Sequence, residues 1–421
     1  MLLALLAAAG AAGAAPIDRE AVVRRHPVRL EGIGQAVGGA AAASAVLQGQ
    51  PLTLTVGNGA IGFNSDATGL QSLNTTYQTF PLSTLSDWGW HSAPPPGVPA
   101  GPGHQAAVDA FFASYEYDEY EISTGRAVPY PTAAAPSFTP GQRTGASPFE
   151  WLRANPHRLD LIQVALRRAS APRVPLAPAD LHTAAQELSP WTGALTSNFS
   201  MSGGDVRTRT ACHMDLDILS WQLDSKLLAT KSSGSDALVL RVAFPYGAGA
   251  MGGAGHNWTA DAAHTTTVVR STSTSMLLRR RLDFDEVEVL CRWSSGLSLE
   301  RDGPHAFILR SESAITAELS CLLAPPDASY PIDPGSAWLT KKAAATRALL
   351  SGSTELPLFA EVAANAAAGW QSFWSSGAVV DLADAASGRF ADPRAEELER
   401  RVVLSQYLTR SQSAGSTPRK N

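Results

Sequence analysis

The chain contains many short segments in which apolar and polar residues alternate or β-branched residues cluster, and this pattern most constrains its fold. Gly, Ser, Pro and Asp stand between the segments, as expected of turns. Such spacing favours a large antiparallel sandwich over repeated βαβ units, so we predict a mainly β chain with two large sheets. The candidate strands are residues 52–56, 60–63, 159–166, 206–211, 237–244, 265–269, 276–282, 287–293, 306–309 and 315–323.

Beyond residue 336 the spacing of apolar residues becomes helical. Residues 338–350 and 356–374 are rich in alanine, and Asp392-Pro393 predicts a further helix, since Asp caps helices and Pro suits their first position. The second segment has one apolar face, made of Phe359, Val362, Ala366, Trp370 and Phe373. For the last helix we expect either an exposed apolar strip or docking against the preceding helix. Its apolar residues are Leu398, Val402, Leu404, Tyr407 and Leu408.

Composition excludes several classes of protein. With 44% hydrophobic and 17% charged residues, the chain is not disordered throughout. Its 421 residues suggest two domains or one large β domain with an appendage. The net charge of −5 gives no electrostatic footprint for nucleic acid, so we expect no nucleic-acid partner.

The N-terminus indicates secretion. Residues 1–15 are uncharged, consist mostly of Leu and Ala, and end near an A-x-A-like site, so we predict a signal peptide there. The stretch is too short to span a membrane, and no later one qualifies, so we expect a secreted or extracellular protein without an integral membrane segment. Asn74, Asn198 and Asn257 begin N-x-Ser/Thr sequons and are predicted glycosylation sites.

The cysteines and histidines carry no metal-binding motif. Cys212, Cys291 and Cys321 allow at most one disulfide, any of the three pairs is open, and we expect the remaining residue to be a buried free thiol. Cys212 precedes His213, but neighbours on a strand point to opposite faces, which argues against a cysteine nucleophile. The nine histidines include no H-E-x-x-H and no H-x-H, so we expect no metal and no cofactor.

Trp88, Trp90 and His91 form the most pointed local motif. In an extended segment, two tryptophans two residues apart share one face and give an apolar platform with an imidazole beside it. Such a platform suits the C–H faces and hydroxyl groups of sugars. The alternative is that both rings fill the edge of the sandwich. We take these three residues as candidate substrate-binding residues.

Three further groups of polar and aromatic residues have structural alternatives. Residues 111–120 could line a cleft, but we expect a strand or hairpin with one buried face. Residues 255–258 place a histidine and a tryptophan near His264. The acidic residues of 283–288 follow the arginines of 279–281, and we expect a solvated, ion-paired face.

Short motifs in a fixed order, taken together, resemble a known family. These are Arg25-His26-Pro27, Thr55-Val56-Gly57-Asn58-Gly59, Thr68-Gly69-Leu70-Gln71, Trp88-Gly89-Trp90-His91, Asn155-Pro156-His157-Arg158, Gln186, Trp191-Thr192-Gly193, Phe244-Pro245-Tyr246, Phe373-Trp374-Ser375-Ser376-Gly377, Asp381-Leu382 and residues 397–408. The series resembles secreted six-hairpin glycosidase-like proteins, whose architecture is similar to glycoside hydrolase family 65. Residues 397–401, Glu-Leu-Glu-Arg-Arg, are its most specific part.

The resemblance implies an N-terminal β-supersandwich (24–335), a helical linker (336–390) and the start of an (α/α)6 barrel (391–421). It also implies glycoside cleavage by a glutamate well inside the barrel, acting as general acid. Twelve helices with their connections need roughly 200 residues, whereas 31 follow residue 390. We therefore expect a truncated barrel and assign no catalytic residue.

Three functions follow as hypotheses. The first is the sandwich and linker of a secreted glycoside hydrolase-like protein, inactive alone, with carbohydrate as its partner. The second is a stand-alone carbohydrate-binding module that uses Trp88 and Trp90. The third is a structural remnant without a ligand.

Overall fold

The computed structural model describes most of the chain after residue 16. The described residues are 17–31, 52–77, 81–95, 97–98, 102–113, 117–121, 125–131, 148–170, 173–248, 255–330, 336–384 and 387–414. The predicted signal peptide, residues 1–15, lies outside them. Among the described residues, no helix is both long enough and apolar enough to cross a membrane.

Twenty strands dominate the described residues, which makes the chain mainly β as predicted. They are β1 (Val28–Glu31), β2 (Leu54–Gly57), β3 (Ile61–Ser65), β4 (Thr84–Ser86), β5 (Trp90–His91), β6 (Tyr117–Glu121), β7 (Ala127–Pro131), β8 (His157–Arg158), β9 (Gln163–Arg168), β10 (Thr183–Ser189), β11 (Ala194–Met201), β12 (Gly204–Cys212), β13 (Ile218–Asp224), β14 (Leu238–Ala243), β15 (His264–Ser271), β16 (Ser275–Leu282), β17 (Asp285–Trp293), β18 (Leu297–Arg301), β19 (Ala306–Ser311) and β20 (Thr316–Ala324).

Seven α-helices lie among the described residues. They are α1 (Arg19–Arg24), α2 (His104–Ala113), α3 (Pro148–Ala154), α4 (Thr230–Ser233), α5 (Ala337–Ser351), α6 (Phe359–Ser376) and α7 (Pro393–Gln412). Short 3₁₀ turns lie between several of the strands, one of them at Asp261–Ala263.

The strands form two large antiparallel sheets and three small ones. The main sheet has the order β1-β10-β11-β12-β13-β20-β17-β16-β15, and the second has the order β18-β19-β14-β9. Strands β2, β3 and β4 form a third sheet, and β5–β8 and β6–β7 are two-stranded ribbons. A single apolar cluster joins residues of the main, second and third sheets, where Phe63 of β3 meets Trp221 of β13 edge to face. The sheets therefore share one core.

Helices α5 and α6 cover the outer face of the main sheet. Ile218 and Leu322, on neighbouring central strands, belong to a second apolar cluster with Phe359 and Val362 of α6. Because these strands are covered on both faces, their apolar residues run together instead of alternating. Strand β11 is open on one face and keeps the alternation.

Capping residues define the ends of α5 and α7, and the start of α7 at Asp392-Pro393 is the one that the sequence predicts. The Ser336 hydroxyl caps α5 by accepting from the Leu339 N–H at 3.2 Å, and α5 ends at Gly352, whose φ is +82°. Asp392 caps α7 by accepting from the Arg394 N–H at 2.8 Å, and Pro393 is its first residue. The domain boundaries at 335 and 390 stay predictions.

Helix α7 docks on the sandwich by a narrower face than its apolar residues suggest. Its buried residues are Glu399, Val403, Tyr407 and Ser411. The Tyr407 ring stacks on Trp370 of α6 at 4.5 Å, and its hydroxyl donates to the Thr55 carbonyl at 2.9 Å. Leu398 and Leu408 are 54% and 38% exposed. Both expectations therefore hold in part: the helix docks, and two of its leucines remain exposed.

One disulfide joins two central strands. Cys291 of β17 and Cys321 of β20 are direct cross-strand partners, and the bond between them selects one of the three pairs that the sequence left open. Cys212 is a buried free thiol, as expected.

A buried ion pair fastens α5 to the sandwich. Lys342 of α5 donates from Nζ to Oδ1 of Asp217 at 2.7 Å, and both side chains are at most 2% exposed. Trp88 Nε1 donates to the other Asp217 oxygen at 2.8 Å. The Asn58 amide also faces this carboxylate.

We predict that Lys342→Met destabilises the chain by about 3–5 kcal/mol, because it leaves the Asp217 carboxylate buried without its counter-ion. Urea unfolding followed by tryptophan fluorescence measures the change. The matched control is Lys341→Met, at the exposed neighbouring position, for which we expect less than about 0.5 kcal/mol. Equal stability of the two variants would contradict the assignment.

Candidate functional site

Several of the motifs that carry the resemblance meet in the structure, although they are scattered along the sequence. One meeting place is a joint between the N-terminal segment and α7. There His26 Nε2 lies 2.8 Å from Oε1 of Glu399, 373 residues away, and Oε2 of the same carboxylate accepts from the Leu382 N–H at 2.7 Å. Arg25 pairs with Asp381 at 2.7 Å. We call these residues the helix joint.

The linker helix α6 is fastened by another motif. Gly193 has φ +66°, and a Cβ added there would lie 2.0 Å from Nε1 of Trp370, so only glycine fits. Next to it, Trp374 Nε1 donates to the Pro190 carbonyl at 2.8 Å. The tryptophans of α6 are therefore anchors to the turn before β11.

Another place where these motifs meet is the β5–β8 ribbon. Trp90 pairs with Arg158 and His91 with His157. Gly89 directly precedes β5 and lies close to β4, because a Cβ there would lie 2.7 Å from the Ser86 hydroxyl oxygen. We call Trp90, His91, His157, Tyr246 and Asp283 the histidine site.

Trp88 and Trp90 lie in different surroundings. Trp88 is 9% exposed, with its indole N–H bound to Asp217 and its ring edge to face with Tyr330 at 6.1 Å. Trp90 is half-buried, its N–H donates to the Asp87 carbonyl, and the Arg158 guanidinium lies 5.4 Å from its ring centroid. Of the two rings, only that of Trp90 is open to a ligand.

His91 is the centre of a chain of hydrogen bonds. Its Nδ1 lies 3.0 Å from Nε2 of His157, and its Nε2 lies 2.9 Å from Oδ2 of Asp283. The Tyr246 hydroxyl donates to the same Asp283 oxygen at 2.6 Å. His91 is 1% exposed, so its ring is surrounded by protein groups.

The hydrogen bonds define where the protons lie. With a proton on Nδ1, His157 donates to the Ala154 carbonyl at 3.3 Å and accepts from His91 at Nε2. Burial, and then the nearby His91, lower the pKa of His157 to about 4, so it stays neutral. His91 then donates from Nδ1 to His157, and its Nε2 faces the Asp283 carboxylate.

Asp283 reaches this site from the tip of a hairpin. Leu282 pairs with Asp285, so Asp283 and Phe284 form a two-residue turn, and Asp283 has φ +51°. Phe284 is 57% exposed. Burial raises the pKa of the neighbouring Asp285. The tip therefore brings two carboxyl groups to the histidine site.

The prediction of a solvated, ion-paired face for this run holds for Arg279 and Arg281, which are exposed, and is wrong for Arg280. Arg280 is fully buried and donates to the carbonyl oxygens of Leu161 and Pro245, because the inner face of β16 lies in the core. Glu288 is 5% exposed and pairs with the more exposed Arg279 at 2.7 Å.

The 255–258 segment joins the same site. Tyr246 and Asn257 exchange both backbone hydrogen bonds, at 3.2 and 2.7 Å, which places Asn257 beside Tyr246. His256 pairs with the buried carboxylate of Asp160 at 2.9 Å. Trp90, Tyr246 and Trp258 are half-buried rings from three separate segments.

The other predicted groups lie elsewhere. A strand or hairpin is wrong for the start of the 111–120 group, because Phe111 and Phe112 end helix α2; β6 and β7 do form a hairpin. Burial raises the pKa of the Cys212 thiol, which fits an inert thiol. Asn198 is exposed, whereas Asn74 and Asn257 are half-buried, and glycosylation at all three stays a prediction.

We predict that His157→Gln reduces the fall in unfolding free energy that occurs as the pH is lowered. The folded-state pKa of His157, about 4, is lower than the ordinary 6.5, so unfolding takes up a proton between these values and stability falls as pH falls. The slope of unfolding free energy against pH should drop by up to about one proton in the variant. Urea titrations from pH 4 to 7 measure it. An unchanged slope, equal to that of the exposed-site control His182→Gln, would contradict the assignment.

Comparison with known proteins finds partial structural likenesses. No protein-family model matches the chain, and no curated protein matches it. A protein assigned as a kojibiose phosphorylase from human microbiome is 9% identical, with a TM-score of 0.46, over 85% of this chain and 39% of its own. A bacterial glucoamylase complexed with acarbose is 10% identical, with a TM-score of 0.30, over 51% of this chain and 32% of its own.

An inverting mannosidase of family GH92 from Bacteroides thetaiotaomicron is 8% identical, with a TM-score of 0.23, over 44% of this chain and 25% of its own. The chain thus matches between a quarter and two fifths of the lengths of these three proteins.

Proposed function

We propose that this chain forms the sandwich and linker of a secreted, glycosidase-like protein, and that it binds carbohydrate without cleaving it. The observation that carries the proposal is the helix joint. Three motifs of the family, at residues 25–27, 381–382 and 397–408, meet around the Glu399 carboxylate, which is 0% exposed. The sandwich is therefore built to hold α7 in one orientation, as the support of a first barrel helix must.

The carboxylates of the core favour a supporting role over a catalytic one. Asp66, Asp160, Asp217 and Glu399 are at most 1% exposed, and each accepts hydrogen bonds from the protein itself. Burial raises the pKa of Asp66 to about 6, but its oxygens accept from Thr68 and Leu73 inside the core. A glycosidase needs two carboxyl groups that flank a bound sugar, and these four face the protein instead.

Carbohydrate binding is supported by the histidine site. Sugars bind to aromatic faces flanked by carboxylates and other polar groups. Trp90 and Tyr246 supply half-buried rings, and Asp283 lies beside Tyr246. We therefore keep Trp90 as the candidate that contacts the sugar. We give the buried His91 a supporting role through Asp283 and Trp88 one through Asp217.

Secretion is supported by two features. The disulfide between Cys291 and Cys321 suits an oxidising compartment, and Asn198 offers an exposed sequon. Both agree with the predicted leader at residues 1–15.

We predict that Trp90→Ala lowers carbohydrate affinity by about tenfold or more, since stacking and release of water from the ring are lost together. Glycan-array binding followed by calorimetry on the best ligand measures it. The control is Trp338→Ala, a 39% exposed tryptophan on α5 outside the histidine site. Equal affinities of the two variants would count against the site, and no glycan bound by the native chain would reject carbohydrate binding.

We predict that the 421-residue chain does not cleave or phosphorolyse oligosaccharides. Reducing-sugar and phosphate-release assays over a panel of disaccharides measure this. Turnover that disappears in Asp283→Asn would overturn the proposal and place an active centre at the histidine site. Absence of turnover with retained glycan binding is the expected result.

A further inference from the structure

Two buried histidines face each other where the two large sheets meet. His264 begins β15, the edge strand of the main sheet, and His305 directly precedes β19 of the second sheet. Their rings are stacked with centroids 3.6 Å apart and planes at 16°. They are 6% and 7% exposed. The pair therefore bridges the two halves of the sandwich.

His264 has a nitrogen without a partner. Its Nδ1 is buried and makes no hydrogen bond among the described residues. Leaving such a group unpaired costs stability, so it points to a missing ligand. An unprotonated imidazole nitrogen is a common metal ligand.

A carboxylate completes the cluster. Asp261 lies in the exposed 3₁₀ turn that leads into β15, three residues before His264. One donor atom from each of Asp261, His264 and His305 lies within 4.8 Å of the others. Two imidazoles and a carboxylate form a ligand set that zinc and related ions accept.

We propose that Asp261, His264 and His305 bind one divalent transition-metal ion of the zinc class, which clips the two sheets together at this edge. Solvent completes the coordination, because Asp261 lies at the surface. The function that we assign to this site is structural, and its assignment does not rest on the proposed carbohydrate binding.

His305 can act as a ligand after a change of tautomer and a rotation that takes the two rings out of their stack, because a ligating nitrogen holds its metal in the plane of its own ring. Its Nδ1 lies 2.8 Å from the Thr266 hydroxyl oxygen and its Nε2 lies 2.9 Å from the Asp261 carbonyl oxygen. With the proton on Nδ1, the ring donates to Thr266 and Nε2 is released for the metal. A hydrogen bond from the second nitrogen is the usual way in which a ligating histidine is oriented.

The positive charge of Arg280 disfavours a bound metal ion, whereas the Asp261 carboxylate favours it. Arg280 lowers the pKa of His264, but its guanidinium is held by two backbone carbonyls in the core. Asp261 supplies the compensating negative charge. Removing that charge should therefore weaken binding strongly.

Calorimetry with ZnCl₂ and absorption of the Co²⁺ form test the proposal on the 421-residue chain. We expect one ion per chain, a rise in Tm on adding Zn²⁺, and affinity lower by about tenfold or more in Asp261→Asn and His264→Gln. The matched controls are Asp205→Asn, an exposed carboxylate on β12, and His182→Gln, an exposed histidine; both should bind like the native chain.

Zn²⁺ affinity unchanged in Asp261→Asn, or lowered equally by the control substitutions, would overturn the proposal. If His264→Gln fails to fold, Asp261→Asn still decides, because its side chain is at the surface. The absence of any Tm shift with Zn²⁺ in the native chain would also reject the site.

Discussion

The packing of the linker helices against the sandwich depends on the Asp217 carboxylate. It lies just before β13, is fully buried, and accepts from Lys342 of α5 and from the Trp88 indole, while the Asn58 amide faces it. A buried ion pair adds little net stability over an apolar replacement, but a misplaced partner would leave a charge unpaired at a cost of several kcal/mol. Only one packing of α5 against the sandwich satisfies all of these groups. The pair therefore specifies where the linker helices lie.

The family motifs mark contacts between distant elements more than they mark chemistry. Glu399, in the most specific motif, is used to bind His26 and the Leu382 N–H, whereas its neighbour Glu397 pairs with Arg400 and Arg401 on the helix surface. Gly193 is required by the ring of Trp370. A residue in a short motif can thus be required because a backbone segment or a helix packs closely against it. A resemblance based on them predicts architecture first and activity only through it.

Local patterns predicted the elements, but contacts between distant residues escaped them. Most strands from β12 to β20, and helices α5 to α7, follow apolar periods and caps that lie within a few residues of each other, but β13 and β18 were not predicted. The bond from His91 to Asp283 spans 192 residues, and nothing in either segment marks the other as its partner. The charges of residues 279–288 suggested a solvated face. Arg280 is buried because one face of its hairpin packs against the core of the sandwich, and the hairpin's own sequence does not show this. The choice of Cys291 with Cys321 likewise depended on strand register.

Tyr246 connects the two polar clusters at this edge of the sandwich. Its ring lies 5.2 Å from that of His91 and 5.9 Å from that of His264, and its hydroxyl is hydrogen-bonded to Asp283. A change in the position of the His264 ring therefore acts on the group that orients the Asp283 carboxylate. Close packing transmits such a shift, since Gly247 leaves no room between the backbone and His91: a Cβ there would lie 2.4 Å from Nδ1. The rings at the β5–β8 ribbon and the stacked histidines consequently form one continuous polar seam between the sheets, and the unpaired Nδ1 of His264 is its weak point, because a partly satisfied buried network is costly.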